Sequence, residues 1–431
     1  MPVKQILVIL SSATLPVGLH AIAELPPMGW NSWYALGKAR GWPSTNESTV
    51  EETARLLVQL GLRSAGYHYL IIDDSWENTK REPDGRLLAN PSKFPSGMAA
   101  VGSRVRSLGL KLGLYTTPGN FTCSGQQGGG EPGSLGHVEQ DVNLWVKEWG
   151  IEYLKDCVCN TTEELRKHAY TDMKRALTAT GRPVMYECDP FMDQPWRTLN
   201  SVCNLWAVSD DIGDSYDAWT RQVDKSYAAD VTKYAKPGSW NLFDYLQIGN
   251  GGQSFEEYKS QFFMYAILAA PLIIGTDLRS ISRQALQLYL SPEVIAVNQD
   301  ELGIPGVRLW QDASTGMEAW ARRLKAQSGA EATCALLLFN RGDVARQVTV
   351  SWAQLAVLGA QWADMKVGVV RDVFMQADVG KFSEAVAAHL QPHSSALFRV
   401  QKAREKLSVN GAAIDTLEIG SSDEKHVAWV V

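Results

Sequence analysis

The chain is sparing with charge and with cysteine. Charged residues make up only 20% of its 431 positions, no run of lysine and arginine occurs, and the net charge is −6. A protein built to neutralise a phosphate backbone needs a basic face, so a nucleic-acid partner is excluded. Beyond the N-terminus no apolar stretch approaches the roughly 20 residues that cross a bilayer, so no membrane partner is expected. There is no internal repeat, no low-complexity run, and no phosphate-binding glycine fingerprint at the first strand-to-helix turn, which argues against a dinucleotide-binding sheet. Only six cysteines occur, and no histidine stands at ligand spacing from Cys157-Val158-Cys159. Zinc is therefore a poor reading, and neither a metal nor an organic cofactor is implied.

What is present begins with a leader. Lys4 precedes the apolar run Ile6 to Leu19, and Ala21-Ile22-Ala23 has the small-x-small form of a cleavage site. The pattern is that of a secretory signal over residues 1–23, cut after Ala23, and implies a secreted, extracellular protein. Asn46, Asn120 and Asn160 each open an N-x-Ser/Thr acceptor for glycosylation. Five of the six cysteines fall between Cys123 and Cys203. In a secreted chain such clustering argues for disulfides.

From about residue 50 amphipathic helices alternate with short apolar strands. Helical periodicity covers Val50 to Leu60, Met98 to Leu108, Val138 to Trp149, Thr162 to Thr180 and Phe255 to Ala269. Between them lie the strands Tyr69 to Ile72, Lys111 to Tyr115, Ile151 to Lys155, Pro183 to Glu187, Cys203 to Val208 and Leu272 to Gly275. A polar residue follows or ends most strands: Asp73, Thr116, Asp156, Glu187 and Asp211. Repeated βα units with polar chemistry at the strand C-termini predict a (β/α)8 TIM barrel over residues 24–303. Past Gly303 the pattern changes to short strands separated by turns, which predicts an antiparallel β-sandwich over 304–400. Residues 401–431 read as a polar, loosely ordered tail.

The 15 tryptophans are many for this length. Most are expected in the core, but Trp30-Asn31-Ser32-Trp33 and Asp73-Asp74-Ser75-Trp76 set indoles beside carboxylates. An indole face packs on the C–H face of a sugar ring while carboxylates accept its hydroxyls, so a carbohydrate site is expected. These segments resemble the family of retaining α-galactosidases and α-N-acetylgalactosaminidases. The likeness continues through Gly66-Tyr67-His68-Tyr69, Gly119-Asn120-Phe121-Thr122-Cys123, Trp149 to Lys155, Ile248 to Gly252 and Gly275-Thr276-Asp277-Leu278-Arg279. The family fold is a TIM barrel followed by a β-sandwich.

The resemblance implies a secreted, exo-acting hydrolase removing terminal α-D-galactose from oligo- or polysaccharides with net retention. Trp33, Asp73, Asp74 and Lys155 would line the sugar pocket. Asp211, in Ser209-Asp210-Asp211-Ile212-Gly213, aligns with the acid/base, with Asp210 the nearest competitor. Asp189, in Cys188-Asp189-Pro190-Phe191-Met192, would contact the sugar's second carbon on the galactose side of the galactose/N-acetylgalactosamine contrast. Cys188 and Cys203 match a family disulfide, and Cys123 would pair with Cys159 or Cys157. Cys334 is expected to stay unpaired.

The nucleophile leaves two alternatives. The family carries Lys-x-Asp, and this chain reads Lys155-Asp156-Cys157-Val158-Cys159. Strand alternation puts Lys155 and Cys157 on one face and Asp156 on the other. Asp156 serves as nucleophile only if a bulge or an early strand end rotates it inward. That reading is preferred, because a thioglycoside on Cys157 would hydrolyse slowly. Ala207 replaces an arginine that normally binds the sugar, and Leu242 replaces a carboxylate. A changed glycone (a β-L-arabinopyranosidase or an α-glucan exo-hydrolase) and a catalytically degenerate carbohydrate-binding protein are the alternatives.

Overall fold

The computed structural model describes residues 22–37, 44–124, 130–190, 195–208, 211–326 and 328–403. Eight parallel strands form the first body: β1 (Met28–Asn31), β2 (Tyr69–Ile72), β3 (Lys111–Thr116), β4 (Tyr153–Cys157), β5 (Met185–Asp189), β6 (Leu205–Ala207), β7 (Trp240–Leu242) and β8 (Leu272–Ile274). They pair in the order β7-β6-β5-β4-β3-β2-β1-β8. A parallel bridge between Leu246, just past β7, and Ile274 brings the two ends of the sheet together. With helices between successive strands this is the expected TIM barrel. Two strands, β1 and β7, were not read as strands from sequence; Gly29 and Asn31 in the one and Asn241 in the other interrupt the apolar run. At Gly29 in β1 a Cβ would lie 2.6 Å from the Tyr69 carbonyl oxygen, so the close β1–β2 approach requires glycine there.

Alternation along the strands sorts side chains into two layers. Tyr69, Ile71, Tyr153, Met185, Leu205, Trp240, Leu242 and Ile273 pack together in the barrel lumen. Leu70, Ile72, Leu112, Leu114, Leu154, Tyr186 and Trp206 belong to the larger cluster shared with the helices. Helix Glu47–Gln59 starts at Asn46, whose side chain accepts the Thr49 N–H at 3.1 Å while Thr49 Oγ1 accepts the Asn46 N–H at 3.1 Å. That reciprocal cap stabilises the first turn.

The second body is antiparallel. A six-stranded sheet runs β14-β13-β16-β11-β10-β9 and a two-stranded sheet pairs β12 with β15, over β9 (Val307–Asp312), β10 (Met317–Leu324), β11 (Ala330–Asn340), β12 (Arg346–Ser351), β13 (Val367–Asp372), β14 (Ala377–Ser383), β15 (Ala385–Leu390) and β16 (Ser395–Ala403). β16 runs past Val400 into the segment expected as tail; residues 404–431 lie outside the described residues. The bodies are pinned by Arg322, which is fully buried and donates to the carbonyls of Ala266 (2.8 Å), Val297 (2.6 Å), Asn298 (3.0 Å) and Ile304 (2.9 Å).

Of the leader read at residues 1–23, residues 1–21 lie outside the described residues. Ala23, placed before the expected cut, is buried in the barrel, and its carbonyl accepts from Trp240 Nε1 and from the Gly238 N–H, both at 2.7 Å. Cleavage after Ala23 would remove those bonds from the folded body. No described helix is long and apolar enough to cross a membrane.

Candidate active site

A cavity of about 390 Å³ opens at the C-terminal ends of the barrel strands, between Trp33, Asp73, Tyr115, Cys123, Lys155, Cys157, Val158, Cys159, Asp189 and Asp211. The lumen-facing register of β2, β3, β4 and β5 delivers Asp73, Tyr115, Lys155, Cys157 and Asp189. Lys155 Nζ donates to Asp73 Oδ2 at 3.0 Å, an oxygen that also accepts from Asn31 Nδ2 at 2.8 Å. The ammonium lies 5.0 Å from the ring centre of Tyr245, 5.7 Å from Tyr115 and 5.8 Å from Trp33. Burial works against that charge, but Asp73, Glu187 and Asp189 outweigh it and hold the lysine above its usual range. Trp33 Nε1 donates to Asp211 Oδ2 at 3.2 Å at the exposed mouth.

Asp189 is buried, and burial drives its carboxyl up to about 8, opposed by Lys155 and assisted by Asp211 and Glu187. Its Oδ2 lies 3.6 Å from the Cys157 sulfur. Burial, together with Asp189, pushes the Cys157 thiol well above its ordinary value. Behind the wall, Glu187 accepts from Tyr153 and, at 2.8 Å, from Tyr245. Asp244 accepts from Tyr34 at 2.6 Å and from the Ile212 N–H at 2.8 Å, which fixes the segment carrying Asp211. Burial, then Asp211, raises the Asp244 carboxyl to about 7. Tyr245, Tyr34 and the role of Asp244 were not read from sequence. Their only signal there is position: Asp244 and Tyr245 follow β7, where loop chemistry is expected.

The structure corrects the placement of Asp156. β4 pairs in unbroken register with β3 through Asp156 and with β5 through Cys157, without a bulge. Tyr153, Lys155 and Cys157 therefore face the lumen, and Asp156 faces the helices. It is fully buried there, accepting from the Tyr186 hydroxyl at 2.8 Å, and its Oδ1 has no hydrogen-bond partner. Burial alone lifts this carboxyl to about 7, against the lowering effect of the Tyr186 bond. The strand ends two residues later than read from sequence, so the early stop that would have turned Asp156 inward does not occur.

Asp74 also turns away from the pocket. Its side chain accepts from the Ser124 N–H at 2.8 Å and from Ser124 Oγ at 3.1 Å, anchoring the turn that bears Cys123. Burial raises it to about 6, against the lowering bond from Ser124. Cys123 is bonded to Cys159 and Cys188 to Cys203, leaving Cys157 and Cys334 as thiols. At Gly119 a Cβ would sit 2.1 Å from the Cys159 carbonyl oxygen, so only glycine lets this loop lie against Cys159. Of the expected glycan acceptors, Asn120 is exposed. Asn160 spends its Nδ2 on the carbonyls of Phe121 (3.1 Å) and Thr122 (2.9 Å), and Asn46 is the helix cap described above. Asp210 lies outside the described residues.

A larger cavity, about 530 Å³, adjoins this one over Tyr34, Asp214, Asn250 and Asp277. Its carboxylates are committed: Asp277 is paired bidentately with Arg279, and Asp214 accepts from Tyr258, Gly252 and Gln253. The smaller cavity is the better site, because it combines a buried cation, three carboxyls and aromatic faces.

Residues 25–300 match the family model described as alpha galactosidase A, and residues 314–400 match the alpha galactosidase C-terminal beta sandwich domain. The chain belongs to the α-galactosidase family. Within this family it is 35% identical to alpha-galactosidase 2 of Arabidopsis thaliana over 384 residues, covering 89% of this chain and 91% of that one. It is 37% identical to an alpha-N-acetylgalactosaminidase of Gallus gallus over 354 residues, 78% of this chain and 84% of the relative. Among solved structures, alpha-galactosidase I of Mortierella vinacea superposes with a TM-score of 0.81 at 31% identity, covering 89% of this chain and 98% of that one. The α-galactosidase family is a family of glycoside hydrolases, and the two-body architecture here is its architecture.

Proposed function

We propose that the cavity binds a terminal α-galactosyl unit and that the chain hydrolyses its glycosidic bond. The observation carrying this reading is the lumen-side grouping of Asp73, Lys155 and Asp189 under Trp33 and Asp211, in a chain of this family. Trp33 offers a face to the sugar ring. Asp73, Lys155 and Asp189 offer acceptors and a donor to its hydroxyls. Asp211, at the mouth and held by Trp33, is the residue to protonate the leaving oxygen.

Double displacement through Asp156 is not carried forward, because its carboxyl does not face the cavity. The groups opposite Asp211 are the Cys157 thiol and the Asp189 carboxyl. Asp189, deprotonated above about pH 8, is the group placed to draw a proton from an attacking water or from the thiol. Turnover is therefore expected to rise with pH towards that value. A second reading, sugar binding without turnover, is favoured by one observation: the acid beside Lys155 in sequence points away from the sugar.

A panel of nitrophenyl α- and β-glycosides tests both. Release of nitrophenol from the α-galactoside supports hydrolysis, and galactose binding without release supports the second reading. Turnover of other glycosides alone would defeat the galactose assignment. In an active enzyme Asp211→Asn should cost about 10²–10⁴ in rate on poor leaving groups and less on activated aryl glycosides. Equal losses on both would remove Asp211 from this role.

A further inference from the structure

Three sulfurs meet at one edge of the cavity. Cys157 Sγ lies 3.5 Å from Cys123 Sγ, which is itself bonded to Cys159, and all three sulfurs fall within 4.8 Å of one another. Cys157 is held in β4, and Cys159 lies two residues on, where the chain leaves the sheet. Cys123 sits on a turn outside the strands. We infer that Cys123, Cys157 and Cys159 form an exchangeable disulfide unit in the wall of the sugar pocket.

In the exchange, the Cys157 thiolate attacks Cys123 Sγ. A Cys123–Cys157 bond forms, the Cys123–Cys159 bond breaks, and Cys159 leaves as a thiolate that takes up the proton Cys157 released. The step is an isomerisation, so it consumes no oxidant or reductant. It needs the existing bridge turned into line with Cys157, a side-chain rotation at a turn residue. The titratable and charged groups around Cys157 are Asp189, Lys155, Asp73, Asp211 and Tyr115, whose hydroxyl donates to Cys123 Sγ at 2.9 Å. Burial and Asp189 disfavour its thiolate, so exchange is slow at neutral pH and quickens in alkali.

The two isomers present different walls to a ligand: a thiol in one, a bridge in the other. Taking the cavity as the sugar site, as proposed above, a bound sugar resting on that wall favours the isomer with Cys157 reduced.

The test uses the full chain, incubated in alkaline buffer with and without galactose, quenched in acid, unfolded and alkylated without reduction. Cys157 and Cys159 share the tryptic peptide that follows Lys155, so fragment-ion sequencing must locate the label. The expected result is label on Cys157 in one population and on Cys159 in another, with galactose shifting label back to Cys157. In Cys159→Ser refolded in a glutathione buffer containing the oxidised form, which accepts the two electrons, Cys123 should be found bonded to Cys157. Label on Cys157 alone under every condition, with both Cys123 and Cys157 labelled in Cys159→Ser, overturns the exchange. Fractions unmoved by galactose overturn its coupling to the sugar site. Should Cys159→Ser fail to fold, the wild-type label decides. Exchange in a chain that neither binds nor cleaves galactosides would defeat the functional reading and leave the sulfur chemistry standing.

Discussion

Asp156 and Asp189 are carboxyls on adjacent strands, both buried, with opposite surroundings. Asp156 meets the Tyr186 hydroxyl and apolar neighbours in the layer between sheet and helices. Asp189 meets a buried lysine, a thiol and a second carboxyl across the cavity. Both are pushed up by desolvation, to about 7 and about 8. A displaced pKa is therefore no marker of function in this barrel; the face of the strand is. One residue of register separates a carboxyl that faces the cavity from one that faces the helices.

The largest effect expected from this contrast is on stability against pH. Folded Asp156 keeps its proton to about pH 7, whereas unfolded it ionises near 4. The folded state holds the proton more tightly, so this contribution is complete below about pH 4 and is lost as pH climbs through about 7, by at most on the order of 4 kcal/mol. Asp156→Asn, which keeps an acceptor for Tyr186, should flatten that share of the slope in denaturant titrations at acid and neutral pH. Asp74, Asp189 and Asp244 slope the same way and remain. An unchanged slope would mean that Asp156 is ionised in the fold.

Kinetics sharpen the same comparison. Asp189→Asn should lower kcat/KM by about 10²–10⁴-fold, the worth of a positioned general base. Asp156→Asn should leave kcat/KM unchanged. The reverse ranking would break the assignment of faces. The smallest expected effect is a gain: Cys157→Asp sets a carboxylate on the cavity side of β4, and α-galactoside turnover should rise by at least about tenfold, or 1.4 kcal/mol of barrier. A fall in turnover would show that the wild-type thiol takes part in the reaction.

Most of the barrel was legible in the sequence because its strands are apolar runs of four to six residues between amphipathic helices. β1 and β7 were not, since Gly29, Asn31 and Asn241 interrupt their apolar runs. The outward face of Asp156 was legible as well: simple alternation from Lys155 already placed it there. The contrary preference came from asking what the chemistry needed, and the continuous hydrogen-bonded register on both sides of β4 decided otherwise. Pairing on two edges fixes the pleat more firmly than a functional requirement can bend it. Tyr34 and Tyr245 could not be read, because their approach to Asp244 and Lys155 depends on barrel closure, which joins strands far apart in the chain, 210 positions in the case of Tyr34 and Asp244.

Arg322 bears on how this protein can be handled. Its guanidinium, carried by the sandwich, caps backbone oxygens that belong to the last helices of the barrel and to the link between the bodies. The bonds to Ala266, Val297 and Asn298 are buried, so a barrel expressed alone would carry raw helix ends where the native chain has a plug. The catalytic half is not a portable module: a nick in the link at residues 304–306 should leave two fragments migrating as one particle, while deleting everything after it should yield a barrel that does not stay in solution.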